Sequence, residues 1–165
     1  AIIETGLNYT ILRNNLYADV LVREVIDAVK AGILSIPADD GKMAAVTRAD
    51  CAAAAAAVLA TDGHQNKIYD ITGPESLAWS NIAEIASEIA GKKIAFIPAL
   101  PDTFREGMLS KGVPDFRVSF LLEIYKAYSS GAYDIPSHAV AKLTGKPATP
   151  TRDFILRTAR EALAH

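Results

Sequence analysis

Apolar residues fall into two rhythms along this chain: short β-branched and aromatic runs, and longer stretches in which they recur every three or four positions. Residues 9–13 (Y-T-I-L-R), following Gly6-Leu7-Asn8, predict a strand buried on both faces. Leu16, Val20, Leu21, Val25, Ile26 and Val29 then mark one side of an amphipathic helix over residues 16–30, with Gly32 as its stop. Residues 33–36 form a second brief strand, closed by Pro37 and a polar turn at 39–42. Thr47 and Asp50 fit a capping box, the hydroxyl accepting from the Asp50 amide and the carboxylate reaching back to the Thr47 amide. The alanine-rich stretch 51–60 is then a helix. Residues 67–72 (K-I-Y-D-I-T) predict a strand with Ile68 and Asp70 on one face, Tyr69 and Ile71 on the other, ended by Gly73-Pro74.

The second half changes character. Ser80 is read as the cap of a helix to Ala90, with Ile82, Ile85, Ala86 and Ile89 on one side and Gly91 as stop. Residues 93–97 are a short apolar run, and after Pro98 the pattern is helical over 102–111, 114–129, 137–143 and 151–164. Residues 131–135 fit either a loop or a brief strand. Strands alternating with helices, followed by helices alone, imply an α/β chain: a parallel sheet with flanking helices over residues 1–97 and a mainly helical lobe over 98–165. At the front, Gly6 reads as a helix C-cap glycine, yet the five residues before it are too few for a stable helix. The expectation is a chain that starts in the last turn of a helix begun upstream.

Charge narrows the partners. With 17 basic and 19 acidic side chains interspersed over 165 residues, no face reads as a footprint for nucleic acid. The longest small-apolar stretch, ten residues at 51–60, is too short and too weakly apolar to span a bilayer. The single cysteine, Cys51, and the lack of a recognisable leader make a cytoplasmic setting the default expectation.

No motif stands alone as a catalytic signature: G-x-G-x-x-G, the P-loop, C-x-x-C, H-E-x-x-H and G-x-S-x-G are all absent. His64, His138 and His165 are read as solvated, and no metal site is expected. The suggestive feature is residues 13–19 (R-N-N-L-Y-A-D), where a strand ends and a helix begins, the position at which parallel sheets bind ligands. Asn14 and Asn15 can each donate and accept, and Tyr17 offers a flat ring with a hydroxyl. An equally weighted alternative is that Asn15 only caps the helix and Tyr17 is core. Thr47-Arg48, at a helix N-terminus, would favour an anionic or carbonyl ligand, although a capping Thr with a solvated Arg is the plainer reading, and Asp50 is read as a capping carboxylate.

The succession Y-T-I-L-R-N-N-L-Y-A-D, then D-G-K-M-A-A-V-T-R-A-D-C-A-A-A-A-A, then K-I-Y-D-I-T-G, with a closing K-L-T-G-K-P-A-T-P-T, resembles the C-terminal half of NmrA-like NAD(P)H:quinone oxidoreductases, atypical short-chain dehydrogenases. The resemblance implies a Rossmann-like fold whose dinucleotide-binding N-terminal half is missing here, with a small helical subdomain on the substrate side. It implies NADP, or alternatively NAD, as cofactor, a quinone or similar carbonyl acceptor as substrate, and hydride transfer between them. It carries over Asn14, Asn15, Leu16, Tyr17, Ala18 and Asp19 as the nicotinamide border, with Val46, Thr47 and Arg48 beside them; no catalytic residue is assigned. Relatives often have Gly and Trp after the first Asn, where this chain has Asn15 and Leu16, an aliphatic wall in place of an indole. The partners so implied are the small-molecule substrate, the other half of the fold and, among assemblies, a homo-oligomer; the chain alone is expected to be inactive. The alternative function is a non-catalytic dinucleotide sensor of the same fold.

Overall fold

A computed structural model describes residues 2–164; Ala1 and His165, and with them the readings of Ala1 as the tail of a helix and of His165 as a solvated imidazole, lie outside the described residues. After a 3-10 turn (Ile3–Thr5) the order is β1 (Thr10–Asn14), α1 (Ala18–Ala31), β2 (Ile33–Leu34), β3 (Lys42–Met43), α2 (Arg48–Ala60), β4 (Lys67–Ile71), β5 (Leu77–Ala78), α3 (Trp79–Ala90), β6 (Ala95–Phe96), α4 (Pro101–Ser110), α5 (Asp115–Ser129), α6 (Ala139–Thr144) and α7 (Thr151–Leu163). The class is α/β, as the alternating pattern implies, and Rossmann-like, as the resemblance implies.

β1 and β4 pair in parallel, from Thr10 opposite Lys67 to Asn14 opposite Ile71. The expected burial of β1 on both faces is not met: Arg13 and Asn14 are exposed and the rest is half-buried. The reason is that β4 is its only hydrogen-bonded strand among the described residues. Leu12, Tyr69 and Ile71 pack with Val46, Cys51 and Val140 on one side, while Ile68 on the other is 44% exposed. β2 and β6 form a second parallel pair, prolonged by Ile97 N–H donating to Leu34 at 2.9 Å and Ala99 N–H to Ile36 at 2.8 Å, so the strand expected at 33–36 continues as a ladder.

A short antiparallel pair, β3 with β5, lies where the pattern suggested a turn. Two-residue strands carry no period to read, and pairing with a distant segment decides them. Residues 131–135 are a loop.

α1 ends at Gly32 in the left-handed region (φ 76°), whose amide returns to Ala28 at 2.8 Å. It buries Ala18, Leu21, Val22, Val25 and Ala28 against α3 and α7. Val20, expected in that stripe, is 51% exposed. The small Ala18 and Ala28 let the neighbouring helices approach, which turns Val20 outward. α3 begins one residue before the expected Ser80 cap: Asn81 Oδ1 accepts from the Ala78 amide at 3.0 Å, and Ser80 instead donates its amide to Asp40 Oδ1 at 2.7 Å. No helix among the described residues is long and apolar enough to cross a membrane.

Candidate functional site

At the carboxyl end of β1 the chain leaves the sheet through Asn15, Leu16 and Tyr17 before turning into α1, the location at which open α/β sheets bind ligands. Ala18 N–H donates to Val46 and Val46 N–H to Leu16, both at 2.9 Å, and Tyr17 and Val46 form a parallel bridge. These two bonds bring residues 14–19 and 46–48 side by side. Gly73, just past β4, completes the seam: its amide donates to Ala44 at 2.9 Å, and a Cβ there would sit 2.0 Å from the Ala45 carbonyl oxygen.

The nine residues divide by what they leave free. Ala18, Val46 and Thr47 are buried, the first two with their backbone groups spent on the seam. Asn15 Nδ2 donates to the carbonyls of Ala44 (2.9 Å) and Tyr133 (3.1 Å), and its Oδ1 accepts from the Leu16 amide at 2.9 Å. Asn15 therefore clamps three segments rather than capping α1, whose N-cap is Tyr17. Asn14 is exposed, and its side-chain amide has no partner among the described residues. Arg48 is held across the junction: its guanidinium lies 5.0 Å over the Tyr17 ring, its amide donates to Asp19 Oδ2 at 3.1 Å, and Nη1 is 3.8 Å from Asp19 Oδ1.

The capping box is only half formed. Asp50 donates its amide to Thr47 Oγ1 at 3.0 Å, but its carboxylate accepts from the Thr47 hydroxyl (2.9 Å), the Thr149 amide (3.0 Å) and the Thr149 hydroxyl (3.2 Å) instead of the Thr47 amide. A second stretch of chain, packed against the helix start, offers better-placed donors. Behind it the Cys51 thiol is buried and pushed up to about 11, first by burial and then by Asp50 and Asp19, which keeps it protonated near neutrality. His64, expected to be solvated, is half-buried: Nε2 meets Thr61 Oγ1 at 2.8 Å and Nδ1 meets the Tyr69 hydroxyl at 2.9 Å. The fold returns β4 beneath the loop and gives the imidazole two hydroxyl partners. His138 is exposed, as expected.

Two cavities flank the junction. One of about 340 Å³ is lined by Asn14, Asn15, Asp70 and Tyr133 among others; Asp70 is held by a bidentate pair from Arg13 at 2.7 and 2.8 Å. The other, about 250 Å³, is apolar and lined by Leu16, Tyr17, Val20, Glu24, Trp79 and Tyr125 among others. A larger cavity of about 570 Å³ opens behind Pro37 and Pro98, with Asp39, Glu123, Lys126 and Ser129 in its lining, but touches none of the nine residues. Asp70, Glu24, Trp79, Tyr125 and Tyr133 line these two cavities without being singled out by the sequence as candidates. Only Glu24 left a trace, lying one helical turn from Val20 and two from Tyr17. Among the described residues no group of three or more His, Cys, Asp or Glu is placed to hold a metal ion.

No family model matches the chain. It is similar to quinone oxidoreductase 2 of Escherichia coli, 31% identical over 152 residues, covering 92% of this chain and 53% of that protein. It is also similar to an NmrA-like family domain-containing oxidoreductase of Aspergillus flavus, 23% identical over 155 residues, covering 92% and 50%. Among solved structures, the NADPH complex of the E. coli NADPH-dependent quinone oxidoreductase superposes with a TM-score of 0.87 at 29% identity, over 95% of this chain and 56% of that one. The NADP(H) complex of Citrobacter sp. triphenylmethane reductase gives 0.83 at 34% identity, over 94% and 54%. The chain thus spans about half the length of the relatives it matches.

Proposed function

Because this chain is the counterpart of the C-terminal half of NmrA-like NAD(P)H:quinone oxidoreductases, we propose that it forms the nicotinamide and acceptor side of a reductase that passes hydride from NADPH to a quinone or similar carbonyl compound. The carrying observation is the seam that sets the exposed Arg48 over the half-buried Tyr17 ring just beyond the carboxyl end of β1, where the exposed Asn14 ends the strand. These residues fit the group. The unpartnered amide of Asn14 can both donate to and accept from a carboxamide, and Tyr17 and Arg48 together offer a flat polar wall against a ring. When bound, the reduced nicotinamide supplies the hydride.

The protein's part is orientation: Asn15 and Gly73 fix the backbone on which these side chains stand, and the Arg48 guanidinium leans on the Tyr17 ring with Asp19 3.8 Å away. The sequence holds no glycine-rich pyrophosphate loop, so in this reading another stretch of polypeptide with the dinucleotide-binding half completes the site, and the residues after 97 shape the acceptor side.

NADPH titration followed by nicotinamide fluorescence tests the division of labour. This chain alone should bind more weakly than about 1 μM, a level that corresponds to about 8 kcal/mol; micromolar binding would sink the proposal. In the polypeptide that joins it to a dinucleotide-binding half, Asn14→Ala and Tyr17→Phe should each lower NADPH-linked quinone reduction about tenfold or more, whereas unchanged rates would favour a non-catalytic sensor.

A further inference from the structure

Residues 131–137, which the pattern leaves open between loop and strand, lie as a strap against the carboxyl ends of β1 and β4, held by closely spaced anchors. The Tyr133 carbonyl accepts from the Ala44 amide at 2.8 Å and from Asn15 Nδ2 at 3.1 Å. The Ser76 hydroxyl donates to Asp134 Oδ1, and Ser137 gives its amide to Gly73 (3.3 Å) and its hydroxyl to the Asp70 carbonyl (2.8 Å). Between these anchors stands Ile135, partly exposed and in the lining of the 340 Å³ cavity that Asn14 also lines. Pro136 restricts the backbone on which it is mounted.

The charges in that lining cancel. Arg13 and Asp70 meet as a bidentate pair, Nε to Oδ1 at 2.7 Å and Nη2 to Oδ2 at 2.8 Å. The other lining side chains are two amides, a phenol and alkyl groups. Asp134 bonds to Ser76 and is not in the lining, and Arg48 with Asp19 forms a second balanced pair at the junction.

We propose that this cavity reads the oxidation state of the cofactor: the alkyl wall of the strap and the mutual neutralisation of Arg13 and Asp70 favour the uncharged reduced nicotinamide over the cationic oxidised one. The inference rests on the reading above that sets a nicotinamide beside Asn14; the strap, the ion pair and the cavity do not. Hydrocarbon gives a charged ring nothing in exchange for the water it loses. A carboxylate balanced by a guanidinium no longer draws a cation toward it. NADPH and NADP+ share their phosphates, riboses and carboxamide, so the ratio of their affinities reports on the surroundings of the ring alone. For a reductase, the consequence is easier release of the oxidised cofactor after hydride transfer.

Calorimetric titration of the full polypeptide, in which this chain is joined to a dinucleotide-binding half, with NADPH and with NADP+ gives that ratio. The unaltered protein should bind NADPH more tightly. Arg13→Gln, which leaves Asp70 unbalanced, should shift the ratio about threefold toward NADP+, and Asp70→Asn about threefold toward NADPH, as expected of one unit charge at about 6 Å in water-like surroundings. The two side chains are 62% and 40% exposed, so losing their ion pair costs little stability. A variant that merely loosened the fold would weaken both forms alike and leave the ratio unmoved. At about 1 M salt, where charges are screened beyond about 3 Å, both shifts should fade. Ile135→Asp should move the ratio toward NADP+ as Arg13→Gln does. Equal affinities in the unaltered protein, or shifts of the same sign in Arg13→Gln and Asp70→Asn, overturn the proposal. A protein that reduces quinone at a rate dependent on Asn14 yet shows no such shifts keeps the reductase reading and loses this inference, and one that binds neither form overturns both.

Discussion

Gly73 shows how much a single residue can hold here. Its amide bonds to Ala44, its carbonyl accepts from Ser137 at 3.3 Å, and the Thr151 hydroxyl passes close by on its way to Ala45 at 2.8 Å. Four stretches of chain meet where even a methyl group would overlap backbone. Gly73→Ala should therefore cost about 2–3 kcal/mol, read as a lower urea midpoint, and should loosen the 46–48 segment from residues 14–19. A variant as stable as the parent would show that the seam is not rigid. In the sequence this glycine reads only as the end of a strand; the clash that explains it involves a carbonyl from Ala45, far away in the chain.

Elements are joined in this molecule by groups that sequence reasoning gave to local tasks. Asp50 was expected to close a box within α2, and its hydroxyl partner Thr47 is the expected one. The carboxylate, however, also fastens the segment before α7 through Thr149. Asp50→Ala keeps the backbone amide that Thr47 caps but removes the acceptor of the Thr47 hydroxyl and of the Thr149 amide and hydroxyl, for a loss of about 2–3 kcal/mol, whereas Thr149→Val should cost less because its amide can still donate. If chemical denaturation found Asp50→Ala no worse than about 0.5 kcal/mol, typical of a plain surface change, the tie would carry no weight. The α1 pattern gives the helix, its stop and its buried face, with Leu21 and Val25 in the core and Leu16, Ile26 and Val29 against it; Val20 alone of the stripe is exposed, bordering a cavity.

Across the whole molecule there are two core clusters, α1 packing in the larger and Tyr17, just before it, against the smaller, and the aromatic residues Trp79, Tyr125 and Tyr128 belong to the larger one with Glu24 at their edge. This placement has a pH signature. Glu24 holds its proton more tightly when folded than when unfolded, so between its unfolded and its folded pKa the native state binds more protons and stability falls as pH rises. The destabilisation is absent below the unfolded pKa and complete above the folded one. Glu24→Gln should thus gain stability relative to the parent as pH rises through that window, with no relative gain at acid pH. Thermal melts in matched buffers would read it, and a pH-independent difference would mean that folding does not raise the proton affinity of this carboxyl.

What the sequence determined by itself was the α/β class, the type and rough bounds of nearly every helix, the Gly32 and Gly91 stops and the β1–α1 junction, because periodicity, caps and glycine stops are local properties of the chain. The nine candidate residues can be named from pattern and resemblance, but spacing cannot tell which of them are spent. That Asn15 is a clamp while Asn14 is free, that Arg48 lies over Tyr17, and that Glu24 borders an aromatic cavity were decided only by tertiary structure. Each depends on contacts between segments far apart in the chain, and hydrogen-bond satisfaction and close packing are settled only once those segments meet.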